Sequence, residues 1–525
     1  MADDTEKHAH PNPSASQGEG KENNGEIIIP VIREDSMAGP GPFIAKPKFQ
    51  QALGFPADFE KPAGSERFAL VPDWHDRALE KMDELRRSSR SFQLFLDICV
   101  KCGACTDKCH YFIGTQDPKN MPVARQDLLR KVYRRYFTFA GKYFPKLVGA
   151  ADLTEEVVED WYNYYHQCSQ CRRCAVFCPY GIDTAEISMA AREILDYIGR
   201  GQKYCNEIIG KVHKVGNNLG LPALALADTL EGLEEDVEQE CGIKVRFPLD
   251  EVGAEVLLIT PSADFFAEPH VDGLIGYAKV LHEAGISWTL SSHASEAANF
   301  GLFIGSYDNM RQMALRIREA AIQLKVKRIV FGECGHAWRV AYNFLNTLAG
   351  PFDFLDSRYP VPQHMLEVTW GLIEEGRLQF DKSRHADKVL TFHDSCNVAR
   401  ASRMGDQPGG QFTIPRQVIQ AVCEHYVDMP IDTTHDATYC CGGGGGLLTD
   451  DLMELRIKGA QPRMEALQYV TAHKGVTHMA AICAICKSQF TKVIPHYGFS
   501  MEQIVSVHQL VGEALIMQRQ HSVQA

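Results

Sequence analysis

The chain has 525 residues, 45% hydrophobic and 23% charged, enough for two or three domains with sizeable cores. Its formal net charge of −13 argues against nucleic acid as the main partner, because the phosphate backbone selects basic surfaces. No apolar run approaches the ~20 residues that span a bilayer, and the polar N-terminus lacks the basic start and apolar core of a signal peptide.

Residues 1–70 are rich in Pro, Gly and polar residues around one apolar patch, Glu26–Ile32, and read as a disordered tail or as an extended arm that orders on a partner. Residues 71–240 form a second unit. Apolar positions recur at helical spacing from Pro72 to Cys99, which predicts a helix leading directly into the first cysteine run. Leu128–Gly149 mixes aromatic and basic residues and reads as a helix with a solvated face, or as a face docked on an anionic or protein partner. Thr184–Gly199 predicts a helix that closes this unit.

Near Gly242 the pattern changes. Short β-type runs alternate with helical segments, which predicts an α/β layer with a mostly parallel sheet. The order repeats, dividing the region into halves at 241–386 and 387–525. Val256–Asp264 overlays Val389–Asn397, Glu296–Gly305 overlays Thr438–Leu447, and Arg328–Ala337 overlays His478–Lys487. In this overlay the second half carries a full cysteine set and the first retains Cys334, so one half is expected to be functional and the other a scaffold.

Seventeen cysteines in a reducing compartment are not expected to pair as disulfides. Cys99, Cys102, Cys105 and Cys109 form one run; Cys168, Cys171, Cys174 and Cys178, followed by Pro179, form another. This is the bacterial [4Fe–4S] spacing, in which three cysteines of a run hold one cluster and the fourth crosses to the other. Cys99, Cys102, Cys105 and Cys178 are therefore expected on one cubane, and Cys109, Cys168, Cys171 and Cys174 on the second. His110 stands where proline is usual, so the turn after Cys109 is expected to differ. Zinc sites also use Cys-x2-Cys pairs, but two complete four-cysteine runs favour clusters.

A looser set comprises Cys396, Cys440, Cys441, Cys483 and Cys486, each at the end of a predicted strand, where open α/β sheets place ligands. A disulfide between neighbours is strained, so Cys440 and Cys441 read as two thiolates needed at one point. Gly442, Gly443 and Gly444 after them would let the backbone approach a cofactor and offer it N–H groups. Cys334, flanked by Glu333, His336 and Arg339, is either an inert buried thiol or an extra ligand or substrate-facing group. Cys205, Cys241 and Cys423 show no partner spacing and read as ordinary residues. Asp394 could orient His393 as a proton donor, with satisfied packing as the alternative. Lys487 and Arg400 are candidate contacts for an acidic chain end.

The pattern from Cys396 through Cys440-Cys441-Gly442 to Cys483-x2-Cys486 resembles the cysteine-rich (CCG) domain of heterodisulfide reductases. Over Phe92–Gln518 the chain resembles forms that fuse this domain to a two-cluster ferredoxin unit, including the DsrK-type subunits of DsrMKJOP complexes. Phe331–Arg339 and Phe392–Arg400 resemble the DsrK pattern in particular. The resemblance implies an α+β multi-domain protein: a mainly helical ferredoxin-like domain with two cubane [4Fe–4S] clusters, then an α/β domain of two pseudo-repeated halves. It implies a noncubane [4Fe–4S] cluster on Cys396, Cys440, Cys441, Cys483 and Cys486, with Cys334 and His393 as further catalytic candidates. The implied activity is that of a heterodisulfide reductase-like oxidoreductase in dissimilatory sulfur metabolism. Its substrate would be a disulfide or trisulfide on the sulfur carrier DsrC. Its electron partners would be a cytochrome b-type DsrM-like membrane subunit and the other DsrMKJOP subunits. The chain would then sit on the cytoplasmic face of the inner membrane, touching it only through a partner. Two alternatives stand. One is an iron–sulfur subunit of a glycolate- or lactate-type oxidase, whose flavin would sit elsewhere because no Gly-x-Gly-x-x-Gly follows a strand here. The other is a non-catalytic relay and docking subunit.

Overall fold

A computed structural model describes residues 70–518 except 296–298. The N-terminal arm expected from the sequence lies outside the described residues, apart from its last position. The single helix expected from Pro72 to Cys99 is two, Trp74–Ser88 and Arg90–Ile98. Ser89 separates them in an extended conformation, its Oγ accepting a hydrogen bond from the Phe92 N–H. Serine competes for backbone groups in this way and so begins helices better than it continues them.

Pro122 opens the next long helix, Pro122–Phe137, at a position whose N–H would be unpaired in any case. That helix ends at Thr138, and two short turns, Phe139–Tyr143 and Pro145–Val148, replace the rest of the expected one. With Glu155–His166 and Thr184–Tyr197 it encloses a core around Trp161, Tyr162 and Tyr165.

The remainder is mainly helical around two small parallel sheets. The first holds β1 (Val256–Ile259), β2 (Trp288–Thr289), β3 (Arg328–Phe331) and β4 (Gln363–His364) in the order β2-β1-β3-β4. The second holds β5 (Val389–His393), β6 (His425–Tyr426), β7 (His478–Ala481) and β8 (Ile504–Ser506) in the order β6-β5-β7-β8. The two orders are the same. In each sheet the chain leaves its first strand to one side and returns on the other, so the crevice for a ligand opens between the central pair. β5 and β7 are that pair in the second sheet, with His393 opposite Ala481.

The sequence overlay departs from the structure at one place. Asn299–Ile304 is a buried helix, whereas Cys440–Gly446 is not helical. Five glycines forfeit too much backbone entropy to hold a helix there. The halves meet where the helices His270–Ala284 and Val507–Ala514 cross: a Cβ on Gly276 would lie 1.9 Å from the His508 carbonyl oxygen. No helix among the described residues is long and apolar enough to cross a membrane.

Candidate metal centres

The two regular cysteine runs ring two neighbouring cavities. Cys99, Cys102, Cys105, Cys174 and Cys178 line the first; Cys109, Cys168, Cys171 and Cys174 line the second, so Cys174 is shared. The fourth cysteine of each run thus reaches the cavity of the other. Both loops turn in the same way: Lys101 and Gln170 have φ of 57° and 56°, and Gly103 and Arg172 have φ of 80° and 62°. Left-handed conformations cost energy for non-glycine residues and persist where the surroundings demand them. All eight thiols are free. Among the described residues no trio of His, Cys, Asp or Glu converges on a single metal ion. The cysteines surround volumes rather than points, which is what a polynuclear cluster requires.

Charge differs around the second cavity. Burial pushes the Cys105 thiol up to about 11 and the Cys174 thiol well above its ordinary value. Burial acts on Cys109 in the same sense, but Arg125 and His110 outweigh it and hold that thiol low. Arg125 Nη1 donates to Cys109 Sγ at 3.4 Å.

The looser set is also brought together. Cys396 begins the helix Cys396–Ala401 after β5, and Cys483 caps the helix Ala484–Val493 after β7, with Cys486 in its first turn. Cys440 and Cys441 enter the crevice from the intervening loop. None of the five exceeds 2% exposure. Cys396 and Cys440 Sγ atoms are 3.9 Å apart. Hydrogen bonds from the thiols of Cys171, Cys396 and Cys441 hold Cys440 well below its ordinary pKa. Cys171 belongs to the second cavity, so that cavity and this set touch.

Cys334 joins the set. It caps the helix Gly335–Ala349 after β3 with φ −135° and ψ 106°, as Cys483 does after β7 with φ −135° and ψ 122°. Burial would raise the Cys483 pKa, but Cys334, Cys486 and His336 together bring it well below the usual thiol value. His336 Nδ1 lies 3.7 Å from Cys483 Sγ. Cys205 is buried beside the glycine run, where a Cβ on Gly446 would lie 2.6 Å from its Sγ, and donates to Gln202 Oε1 at 3.0 Å; Cys423 is buried, and Cys241 donates to the Val237 carbonyl.

Several expectations for side chains nearby are corrected. Asp394 does not orient His393: both its oxygens receive Arg416 at 2.8 Å, and it accepts the His435 N–H at 2.9 Å. Asp394 lies just past the end of β5, where Arg416 and the His435 N–H take up its carboxylate. His393 is fully buried, neither ring nitrogen has a partner, and burial pushes its pKa down to about 3. It is therefore neutral and not a ready proton donor, although an N–H with no protein acceptor suits a neighbouring sulfide or thiolate. Lys487 is fully buried and paired with Glu333, not open to an acidic chain end. Arg400 donates to the carbonyls of Cys171, Asp436 and Thr438.

The glycine run divides its work. The Gly442 and Gly443 N–H groups point at Cys440 and Cys441 Sγ at 3.4 and 3.5 Å. Gly444 serves instead to seat the run on its neighbours: a Cβ there would lie 3.0 Å from the Ser169 oxygen and from His336 Nε2. At Gly445 and Gly446, both with positive φ, a Cβ would meet the Cys168 oxygen at 2.8 Å and Gln202 Oε1 at 2.2 Å. Free buried thiols, an unpaired imidazole and backbone N–H groups aimed at sulfur are a donor set that fits an iron–sulfur cluster.

Sequence reasoning missed the residues that tie the second cavity to this set. His110 Nδ1 donates to the Gly459 oxygen at 2.7 Å and Nε2 meets Ser169 Oγ at 2.8 Å. The Tyr111 hydroxyl donates to the Gly442 oxygen. Buried Arg192 donates to the carbonyls of Tyr165, Cys168, Phe303 and Gly445. His110 in place of proline was a visible signal; an arginine within a helix pattern was none.

Residues 95–182 match the 4Fe-4S dicluster domain family. An Hdr-like menaquinol oxidoreductase iron–sulfur subunit of Archaeoglobus profundus is 38% identical over 93% of this chain and 92% of that protein. An Hdr-like menaquinol oxidoreductase iron–sulfur subunit 2 of Archaeoglobus fulgidus is 41% identical over 85% and 84%. One subunit of the dihydromethanophenazine:CoB–CoM heterodisulfide reductase of Methanosarcina mazei is 24% identical over 80% and 94%. No solved structure matches.

Proposed function

Because the chain belongs to the family of Hdr-like menaquinol oxidoreductase iron–sulfur subunits, we propose that it conducts electrons between a quinone-linked membrane partner and a disulfide at the third cysteine group. The observation that carries this reading is contiguity: the second cavity meets the third group through the Cys171–Cys440 contact. Two cubane [4Fe–4S] clusters in the cavities and a noncubane [4Fe–4S] cluster on Cys396, Cys440, Cys441, Cys483 and Cys486 would supply one-electron relays and a terminus for two-electron chemistry.

Cutting a disulfide to two thiols consumes two electrons and two protons, and the reverse releases them. The chain's own part is to exclude water, since the five cysteines are at most 2% exposed, and to hold the Cys440 and Cys483 thiols well below their ordinary pKa. In the finer reading the chain is DsrK-like, its electron partner a DsrM-like cytochrome b subunit on the cytoplasmic face, and its substrate the disulfide or trisulfide of DsrC in sulfur metabolism.

The test is anaerobic EPR of the oxidised holoprotein, with iron and sulfide quantified, before and after adding the disulfide form of DsrC or its C-terminal peptide. A paramagnetic species that needs the disulfide and is lost in Cys440→Ala is expected. Its absence from a preparation with all three clusters assembled would leave a relay subunit instead.

A further inference from the structure

The stretch Phe139–Val148 stands apart from every cysteine site. Phe139, Tyr143, Phe144 and Leu147 are 75%, 67%, 57% and 85% exposed, and no other nine-residue stretch among the described residues carries four exposed large hydrophobics. Scattered exposed apolar residues need no explanation, but a contiguous patch does.

This protrusion is held in shape. Thr138 Oγ1 accepts the Gly141 N–H at 3.1 Å and donates to the Arg134 oxygen at 2.8 Å. Arg134 Nη1 donates to the Val148 oxygen at 3.0 Å, and Arg135 Nη1 to the Lys142 oxygen at 3.4 Å. A Cβ on Gly141 would lie 1.8 Å from the Arg134 oxygen, so this glycine lets the turn close back on the preceding helix. The backbone is thus stapled while the apolar side chains project outward.

The charge along the stretch itself is one-signed. No acidic residue lies between Asp127 and Asp152, in a chain whose net charge is −13. The exposed cations there are Lys131, Lys142 and Lys146, while Arg134 is engaged with backbone and Arg135 with the Lys142 oxygen and, at 2.6 Å, the carboxylate of Asp152 that follows the stretch. Lysine is depleted from the buried centres of protein–protein interfaces, where arginine is preferred. Aromatic rings interleaved with lysines suit a lipid surface instead: rings sit at headgroup depth and ammonium groups reach phosphates.

We propose that the Phe139–Val148 protrusion docks the chain directly on an anionic lipid surface. The contact supplements the membrane partner of the proposed function and does not depend on the disulfide chemistry. The full-length holoprotein is sedimented anaerobically with vesicles of phosphatidylcholine alone or with one third phosphatidylglycerol. Binding is expected on the anionic vesicles, weakening with salt, and at least tenfold weaker in Phe139→Ser/Leu147→Ser and in Lys142→Glu/Lys146→Glu. Iron content should be unchanged in both variants. Equal binding to both vesicle types, or unchanged binding in the variants, would overturn the proposal. So would retention on native membranes without binding to protein-free vesicles, which would assign the protrusion to a membrane protein. Failure of the redox reading would show as absent disulfide turnover in the unaltered chain, with vesicle binding intact.

Discussion

Glu333 and Lys487 form an ion pair at 3.3 Å in which neither side chain is exposed. Each is the chain neighbour of a site thiol, Cys334 in one half and Cys486 in the other. Glu333 also accepts the His508 N–H at 2.8 Å, His508 Nδ1 at 2.7 Å and Ser506 Oγ at 2.6 Å. Burial would raise its pKa, but Lys487 and His508 hold it well below the carboxylate range. The pair therefore clamps the two helices whose starts present Cys334 and Cys483 to each other.

Breaking a buried pair by removing one partner strands the other charge, so Glu333→Gln should cost about 3–5 kcal/mol. Glu333→Met/Lys487→Met removes both charges and should lose clearly less. Denaturant unfolding of the two holoproteins compares them; a double variant no better than the single one would show that the pair is not the unit that matters.

Acid should unfold this protein earlier than its carboxylates alone would. Burial pushes His270 down to about 4 and His364 down to about 3. His364 Nδ1 accepts the Leu366 N–H at the start of a helix, which only an unprotonated nitrogen can do. Below about 6.5 the unfolded chain takes up protons at these sites and the folded chain does not, so stability is lost as pH falls from there towards 4. Each site contributes a slope of up to about 1.4 kcal/mol per pH unit. Unfolding followed from pH 7 to 5 should show this slope, reduced in His364→Asn.

Gly445→Ala should damage the second cavity selectively. Its φ of 73° disfavours any side chain, and the new Cβ would press on the Cys168 oxygen. The strain should total about 2–4 kcal/mol from backbone conformation and overpacking. On the proposed function, EPR of the reduced protein should lose the signal of the cluster proposed for the second cavity while that of the cluster proposed around Cys99 is kept.

Cys334→Ala tests the sixth thiol. It removes one hydrogen bond to the Cys483 thiolate, worth about 1.5–3 kcal/mol for a charged acceptor. Iron content should stay at wild-type level, while loss to a chelator of the iron proposed for the third cysteine group should quicken roughly ten- to a hundredfold. Immediate loss of that iron during purification would make Cys334 a ligand instead.

Much of this arrangement was legible in the chain. The two regular cysteine runs announced two cavities because cubane loops depend on local spacing, and β1, β3, β5 and β7 were readable as short apolar runs. The overlay of Arg328–Ala337 on His478–Lys487 led to the expectation that Cys334 is an extra ligand or substrate-facing group near the cysteine set; only the structure put it beside Cys483. The pairing of Asp394 with His393 failed because Asp394 lies past the end of β5 and its carboxylate is taken by Arg416, 22 positions on. The fate of Lys487 was hidden because its partner, Glu333, lies 154 positions away. The docking role of Gly444, Gly445 and Gly446 was likewise invisible, since it depends on Ser169, Cys168 and Gln202 from the helical unit.

By itself the sequence determined which residues can carry the chemistry, because thiol spacing and strand periodicity are local properties of a few consecutive residues. The tertiary structure alone decided that Cys171 meets Cys440, that His393 is neutral and without a hydrogen-bond partner, and that the Phe139–Val148 stretch leaves its aromatic rings in solvent. Those outcomes depend on burial and on contacts between distant segments, and no local pattern encodes how much water a side chain will lose when the chain closes around it.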